Sequence, residues 1–79
     1  MEIRRGDLVK MEGTEFHIKE SVDGTVVFWA KDVDRVYRET FDQFVDRARQ
    51  AGHIKIVPGE GKYDNAVEND GRDVYYEAV

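Results

Sequence analysis

Two runs of alternating apolar and polar residues, separated by an Asp-Gly pair, dominate the first half of the chain. The runs cover residues 14–20 and 25–31, and both are rich in β-branched and aromatic residues. Asp-Gly accommodates the positive φ that a tight turn requires. The pattern therefore predicts a β-hairpin that turns at Asp23 and Gly24.

The geometry of this turn determines which aromatic side chain enters the core. If Gly24 is the bulge residue of a type I turn, Ile18 pairs with Phe28 and Trp29 lies on the second face. The residues that then share the core face are Phe16, Ile18, Val26, Phe28 and Ala30. A two-residue turn shifts the register by one, so that Trp29 enters the core and Phe28 faces outward. Both registers leave one aromatic side chain on the second face.

Shorter patterns around the hairpin predict further strands. A short apolar run predicts a strand at residues 7–12, and alternation predicts one at residues 53–57. Residues 32–39 fit either a short strand or a helical stripe, and we favour the strand. Residues 73–79 follow a turn signal at 69–71 and fit either a last strand or a loosely held tail.

Residues 40–51 carry the signals of an amphipathic helix. Thr40 and Gln43 have the spacing of a capping box, and Gly52 provides the C-terminal cap. The apolar side chains that share one helix face are Phe41, Phe44, Val45 and Ala48. Together the elements predict an α+β fold, in which a small, curved, mainly antiparallel sheet packs against one helix.

Length and charge divide this fold into a body and an acidic end. Seventy-nine residues allow one domain with a modest core. A linker signal at 58–61 separates a compact domain at 1–57 from a C-terminal segment at 58–79. Residues 58–79 hold six acids and two bases, whereas residues 1–57 hold eleven acids and ten bases. The acidic side chains that we single out in the segment are Asp64, Glu68, Asp70 and Asp73.

The chain contains no cysteine, and none of its apolar runs has the length of a membrane span. The two arginines near the N-terminus are not followed by the apolar core of a signal peptide. We therefore predict a cytoplasmic protein without a membrane partner. A core of this size is compatible with a homo-oligomer as well as a monomer.

The first third of the chain resembles small SH3-like barrel proteins, including small proteins of phages and plasmids. The residues that carry the resemblance are Gly6, Asp7, Leu8, Val9, Gly13, Phe16, Ile18, Val26 and Phe28. It covers residues 5–31, and a helix at 40–51 is not part of a minimal barrel. The resemblance implies an SH3-like partial barrel, a binding function and an origin in a mobile element. It implies no catalytic residues.

Catalytic and metal-binding patterns are weak. Ser21 lacks a G-x-S-x-G context, and His17 and His53 lie far apart in the sequence. The run that begins at Asp32 lacks the later oxygen ligands and the glycine of an EF-hand loop. We predict no enzyme activity, no cofactor and no metal.

A mixture of aromatic and basic side chains marks the candidate binding surface. Its members are His17, Lys19, Val27, Trp29 and Lys31 on the hairpin, and Arg35, Tyr37 and Arg38 on the adjoining segment. Such a mixture suits the anchoring of a protein partner or stacking on nucleic-acid bases. Alternatively, the C-terminal segment or the helix covers the aromatic side chain of this face.

The favoured hypothesis is a non-enzymatic binding or regulatory protein that acts through protein–protein contacts. Single-stranded nucleic-acid binding through the same face is an alternative, although a net charge of −5 disfavours binding to nucleic acid. A third hypothesis is an acidic inhibitor, in which Asp64, Glu68, Asp70 and Asp73 imitate phosphates.

Overall fold

A computed structural model describes residues 2–22, 24–64, 67 and 74–76. The described residues form six strands and one helix in the order β1 (Leu8–Met11), β2 (Thr14–Val22), β3 (Thr25–Ala30), β4 (Arg35–Glu39), α1 (Phe41–Ala51), β5 (Lys55–Val57) and β6 (Val74–Tyr76). The strand order across the sheet is β5-β1-β2-β3-β4-β6. Strands β1 to β5 pair antiparallel, and β6 pairs parallel with β4. The predicted α+β class is confirmed, and so is the strand interpretation of residues 35–39.

The β2–β3 hairpin combines features of both predicted registers. Val22 pairs with Thr25, which leaves two residues between the strands, as in the two-residue alternative. The register then shifts at Lys19, so that Ile18 pairs with Phe28, as in the bulged-turn alternative. A β-bulge adds one residue to one strand and thereby reverses which side chains face the core. Phe28 consequently enters the core, and Trp29 lies on the opposite face.

The main core lies between the sheet and α1, and Phe28 occupies its centre. The Phe28 ring centroid lies 5.2 Å from that of Phe16, 5.3 Å from that of Phe44 and 5.5 Å from that of Tyr37. Of the predicted apolar helix face, Phe44 and Ala48 are buried, Phe41 packs at the edge of the core, and Val45 is half-buried. The edge-to-face contacts with Phe16 and Phe44 and the stacked contact with Tyr37 add to the stabilisation that burial provides.

Local caps define both ends of α1, as the sequence predicts. The Thr40 side chain accepts a hydrogen bond from the Gln43 backbone N–H, and the Gln43 side chain accepts one from the Thr40 N–H. Gly52 ends the helix with φ 73°, and its N–H donates to Ala48 and Arg49. None of the described helical residues forms a stretch long and apolar enough to cross a membrane.

Candidate binding surface

The sheet face opposite α1, called the outer face below, presents two adjacent rows of side chains that cross the strands. The apolar row consists of Val57, Leu8, His17, Trp29 and Val36. The lysine row consists of Lys55, Lys10, Glu15 and Lys31. Because neighbouring strands are about 4.8 Å apart, each row is continuous.

Residues 59–64, called the strap below, lie across the apolar row. The Lys62 N–H donates to Nδ1 of His17 at 2.8 Å. Tyr63 packs against a small buried cluster formed by Val27, Val36 and Val67. The strap and Val67 therefore cover the apolar row and leave the lysine row exposed to solvent.

His17 is buried in the contact between the sheet and the strap, with only 2% of its surface exposed. Because Nδ1 accepts a hydrogen bond, the ring is neutral and carries its proton on Nε2. Nε2 has no hydrogen-bond partner among the described residues. Burial lowers the pKa of His17; the charge of Glu15 opposes this effect, and those of Lys31 and Lys62 reinforce it. The strap thus packs on a histidine that is held in its neutral form.

Trp29 belongs to the apolar row and lies next to Lys31 of the lysine row. Its ring centroid is 5.1 Å from that of His17, and its Nε1–H donates to Oδ1 of Asp34 at 2.9 Å. Asp34 lies in the β3–β4 turn and adopts φ 52°. Trp29 is therefore a fixed, half-buried side chain beside Lys31.

The lysine row places three positive charges around one carboxylate. Lys10 pairs with Lys55 on one side and with Glu15 on the other. Glu15 is bonded to Lys31, whose Nζ lies 3.3 Å from Oε2. This hydrogen bond is the main cause of the lowered pKa of Glu15, and Lys10 adds to it. The row is a local positive patch on a chain whose net charge is −5.

The outer face carries four of the hairpin residues that the sequence placed on one binding surface, namely His17, Val27, Trp29 and Lys31, but two of them are buried. His17 and Val27 are buried, and Nζ of Lys19 lies 5.6 Å from the centroid of the Tyr63 ring. Of the predicted hairpin residues, Lys31 belongs to the lysine row and Trp29 lies beside it. The C-terminal segment covers His17 and Val27, whereas Trp29, the aromatic side chain to which the covering alternative refers, is half-buried.

The residues predicted on the adjoining segment also divide between the faces. Tyr37 pairs with Phe28 and stacks on it in the core, and Arg35 pairs with Ala30 on that same face. Arg38 pairs with Val27 and lies exposed on the outer face. Strand alternation makes this division unavoidable, because successive side chains point to opposite faces.

The acidic residues of the C-terminal segment are only partly described. Asp64 is exposed, and its Oδ1 accepts a hydrogen bond from the Val67 N–H at 3.3 Å. Glu68, Asp70 and Asp73 lie outside the described residues.

Sequence reasoning missed Lys10 and Lys55, the two lysines that face each other across β1 and β5. Each occupies an outward position in a short alternating strand, which is a common place for lysine. Their proximity depends on the pairing of β1 with β5, which are separated by most of the chain. The outward position was readable from the sequence, but the pairing was not.

The opposite face has a half-open pocket of about 160 Å³ near the end of the β3–β4 hairpin. Its walls include Phe16, Phe28, Tyr37 and Arg47, and Val33, which is 55% exposed, stands at its rim. Sites for small organic ligands usually measure about 300–1,000 Å³. The pocket is closer in size to a single apolar side chain.

Neither a metal site among the described residues nor a similar protein indicates what these surfaces bind. Within the described part of the chain, no group of three histidine, aspartate or glutamate side chains could hold a metal ion. Comparisons of the chain with protein-family models, curated proteins and solved structures gave no match.

Proposed function

We propose that this protein is a non-enzymatic binding protein that recognises an acidic segment of another protein through the lysine row and Trp29. The observation that carries the proposal is the direct opposition of Lys10 and Lys55 on neighbouring strands. Like charges in this position destabilise a sheet. The carboxylate next to them, Glu15, is already bonded to Lys31. Negative charges from a partner would offset the repulsion.

The dimensions of the row suit an extended acidic peptide. Four neighbouring strands place the backbone of Lys31 about 14 Å from that of Lys55. Alternate residues of an extended chain lie about 6.7 Å apart on one side, so carboxylates at positions i, i+2 and i+4 span about 13 Å. Trp29 borders the row at Lys31 and offers an apolar ring beside the charges.

An acidic protein segment is favoured over nucleic acid because the positive patch contains only three lysines, which match a few carboxylates, whereas a nucleic-acid backbone is bound along a longer basic surface. Single-stranded nucleic-acid binding through the same lysines stays the alternative prediction. The phosphate-mimicking inhibitor also stays a prediction, since three of its four acidic residues lie outside the described part.

The SH3-like assignment, the cytoplasmic location and the mobile-element origin are further proposals. The residues that carry the resemblance lie on β1, β2 and β3 and in the turns beside them, where Gly6 and Gly13 adopt φ 86° and 74°. The cytoplasmic location is supported by the absence of cysteine. Genomic neighbours of phage or plasmid type would support the origin.

Lys55→Glu is expected to stabilise the fold and weaken binding at the same time. It replaces a like-charge pair with an opposite-charge pair, which should raise the free energy of unfolding by about 0.2–1 kcal/mol. The same change removes a charge from the proposed site and should reduce affinity for an acidic peptide about 10-fold at low salt. Urea denaturation measures the first effect, and fluorescence anisotropy with a labelled peptide of alternating Glu and Ser measures the second.

Arg49→Glu is the matched control, because it makes the same change of charge on the exposed surface of α1. It should leave peptide affinity within about twofold of the wild-type value, since a distant exposed charge is screened. Equal weakening by both variants would show a net-charge effect and contradict the proposed site. Tighter binding of oligo(dT) than of the peptide, lost in Lys55→Glu, would assign the row to nucleic acid instead.

A further inference from the structure

Three backbone N–H groups of the strap donate hydrogen bonds to the turn before β1 and to β2. Gly59 donates to Oδ1 of Asp7 at 3.3 Å, Gly61 to the Gly6 carbonyl at 2.7 Å, and Lys62 to Nδ1 of His17 at 2.8 Å. The Lys62 bond is the one that ends on an imidazole ring. An imidazole in water gains a proton at about pH 6.5, so this acceptor belongs to a titratable side chain.

Gly61 brings the strap unusually close to the backbone of the turn before β1. A Cβ at this position would lie 2.4 Å from the Asp7 carbonyl oxygen and 2.7 Å from the Gly6 carbonyl oxygen. Both atoms belong to the backbone and cannot rotate away. The close seating of the strap therefore requires glycine here, next to Lys62, whose N–H reaches Nδ1 of His17.

Protonation of His17 would remove the acceptor that holds Lys62. With both ring nitrogens protonated, Nδ1–H would point at the Lys62 N–H, and two donors cannot bond to each other. The ring lies between Leu8 and Trp29, so a charge there is surrounded by apolar groups. The charged groups that act on it are Glu15, which favours the protonated ring, and Lys31 and Lys62, which oppose it.

We propose that the strap is an autoinhibitory cover on the apolar half of the binding surface and that protonation of His17 releases it. Release uncovers Val27, Val36 and Trp29, and Trp29 lies next to the lysine row at Lys31. The exposed surface then combines lysines with an apolar strip and takes a partner segment that carries both acidic and apolar residues. This consequence rests on the proposed function, whereas the release itself does not.

The direction of the pH effect follows from the two states of the strap. In the closed state burial lowers the pKa of His17 below its ordinary value of 6.5, and release restores water to the ring. The released state therefore binds the proton more strongly. The closed state keeps its full stability above pH 6.5 and loses it as the pH falls through the pKa of the closed state. One linked proton raises the released population by up to about tenfold per pH unit in this window.

Amide hydrogen exchange of Lys62 in the full chain measures release without any partner. Between about pH 7.5 and about pH 5.5, its protection should fall, by up to about tenfold for one linked proton, after correction for the intrinsic pH dependence of exchange. Fluorescence of Trp29, the single tryptophan, should change over the same range, because its ring contacts His17. Protection of Lys62 that does not change with pH would overturn the proposal.

Two histidine variants distinguish the effect of the His17–Lys62 hydrogen bond from the effects of other titrating groups. His17→Asn keeps an oxygen acceptor at the position of Nδ1 but does not titrate, so Lys62 should stay protected at both pH values. His53→Asn, at the exposed second histidine, should leave the wild-type pH dependence intact. If Lys62 protection in His17→Asn depends on pH as it does in the wild type, protonation of His17 does not release the strap. If His17→Asn does not fold, the NMR chemical shifts of the His17 ring nitrogens in the wild-type protein provide the test. Titration of the ring without loss of Lys62 protection would also contradict the proposed release of the strap.

Gly61→Ala opens the strap at neutral pH, and its effect on Lys62 exchange checks this. Its affinity for a peptide of alternating Glu and Leu should exceed that of the wild type about tenfold, because the leucines gain an apolar strip. Affinity for the matched Glu–Ser peptide should not change. Equal affinities of the variant for both peptides would overturn the role of the apolar row. Failure of both peptides to bind either protein would instead refute the proposed function, while the exchange result for the strap would stand.

Discussion

Phe28→Ala is expected to lower the free energy of unfolding by about 3–5 kcal/mol, which is the usual loss for a fully buried aromatic side chain. Phe28 is 1% exposed and contacts rings from β2, β4 and α1. The alanine variant would leave a cavity where three elements meet. Since the single core of a domain this small rarely supplies more than about 3–5 kcal/mol of net stability, the variant should be close to unfolded at room temperature.

Urea denaturation of two matched variants turns this expectation into a test of the hairpin register. Phe28→Leu retains most of the buried volume and should lose less than about 1.5 kcal/mol. Trp29→Ala removes a larger side chain that is only half-buried, so its loss should be less than half that of Phe28→Ala. A larger loss for Trp29→Ala than for Phe28→Ala would contradict the assignment of Phe28 to the core.

The register of this hairpin shows how far local sequence signals reach. The Asp23-Gly24 pair identifies the turn, and alternation identifies both strands. The bulge at Lys19 has no comparable signal, because almost any residue can be the extra one in a strand. The two-residue turn shifts the pairing by one residue, and the bulge shifts it back. The core therefore contains Phe28 rather than Trp29, as the bulged-turn alternative predicts, although the turn is the one of the two-residue alternative.

The helix was predictable almost to the residue because its boundaries depend on contacts within four residues. The Thr40 and Gln43 capping box and the Gly52 cap each occur within one helical turn. The parallel pairing of β6 with β4 depends instead on contacts between residues far apart in the sequence. Such pairing is specified by the whole fold, and no window of sequence contains it.

The candidate surface also contains some residues that local sequence predicts and others that depend on long-range pairing. Trp29 and Lys31 could be found from the sequence, since alternation places both on one face of β3. The Lys10–Lys55 pair and the His17–Lys62 hydrogen bond could not, because each joins segments about 45 residues apart. Tyr37 and Arg35 were assigned to the outer face because the sequence does not show which residue of β4 lies opposite Phe28.

Arg47→Met is expected to destabilise the protein by about 2–4 kcal/mol, because it removes a positive charge from a buried carboxylate. Nη2 of Arg47 lies 2.9 Å from Oε1 of Glu39, and this ion pair joins α1 to the end of β4. The Glu39 side chain is only 2% exposed, whereas that of Arg47 is 33% exposed. Water reaches the arginine but not the carboxylate, which places the expected loss below that for a completely buried pair.

A double-mutant cycle distinguishes the ion pair from simple packing of the arginine side chain. Replacing both residues, as Glu39→Met with Arg47→Met, removes the buried charge together with its partner and should recover at least about half of the loss. Arg49→Met, on the same helix but exposed beside Asp46, should change stability by less than about 0.5 kcal/mol. If Arg47→Met is no more destabilising than Arg49→Met, the Glu39 carboxylate does not depend on Arg47. The attachment of α1 to the sheet would then rest on the packing of Phe44 and Ala48 rather than on charge.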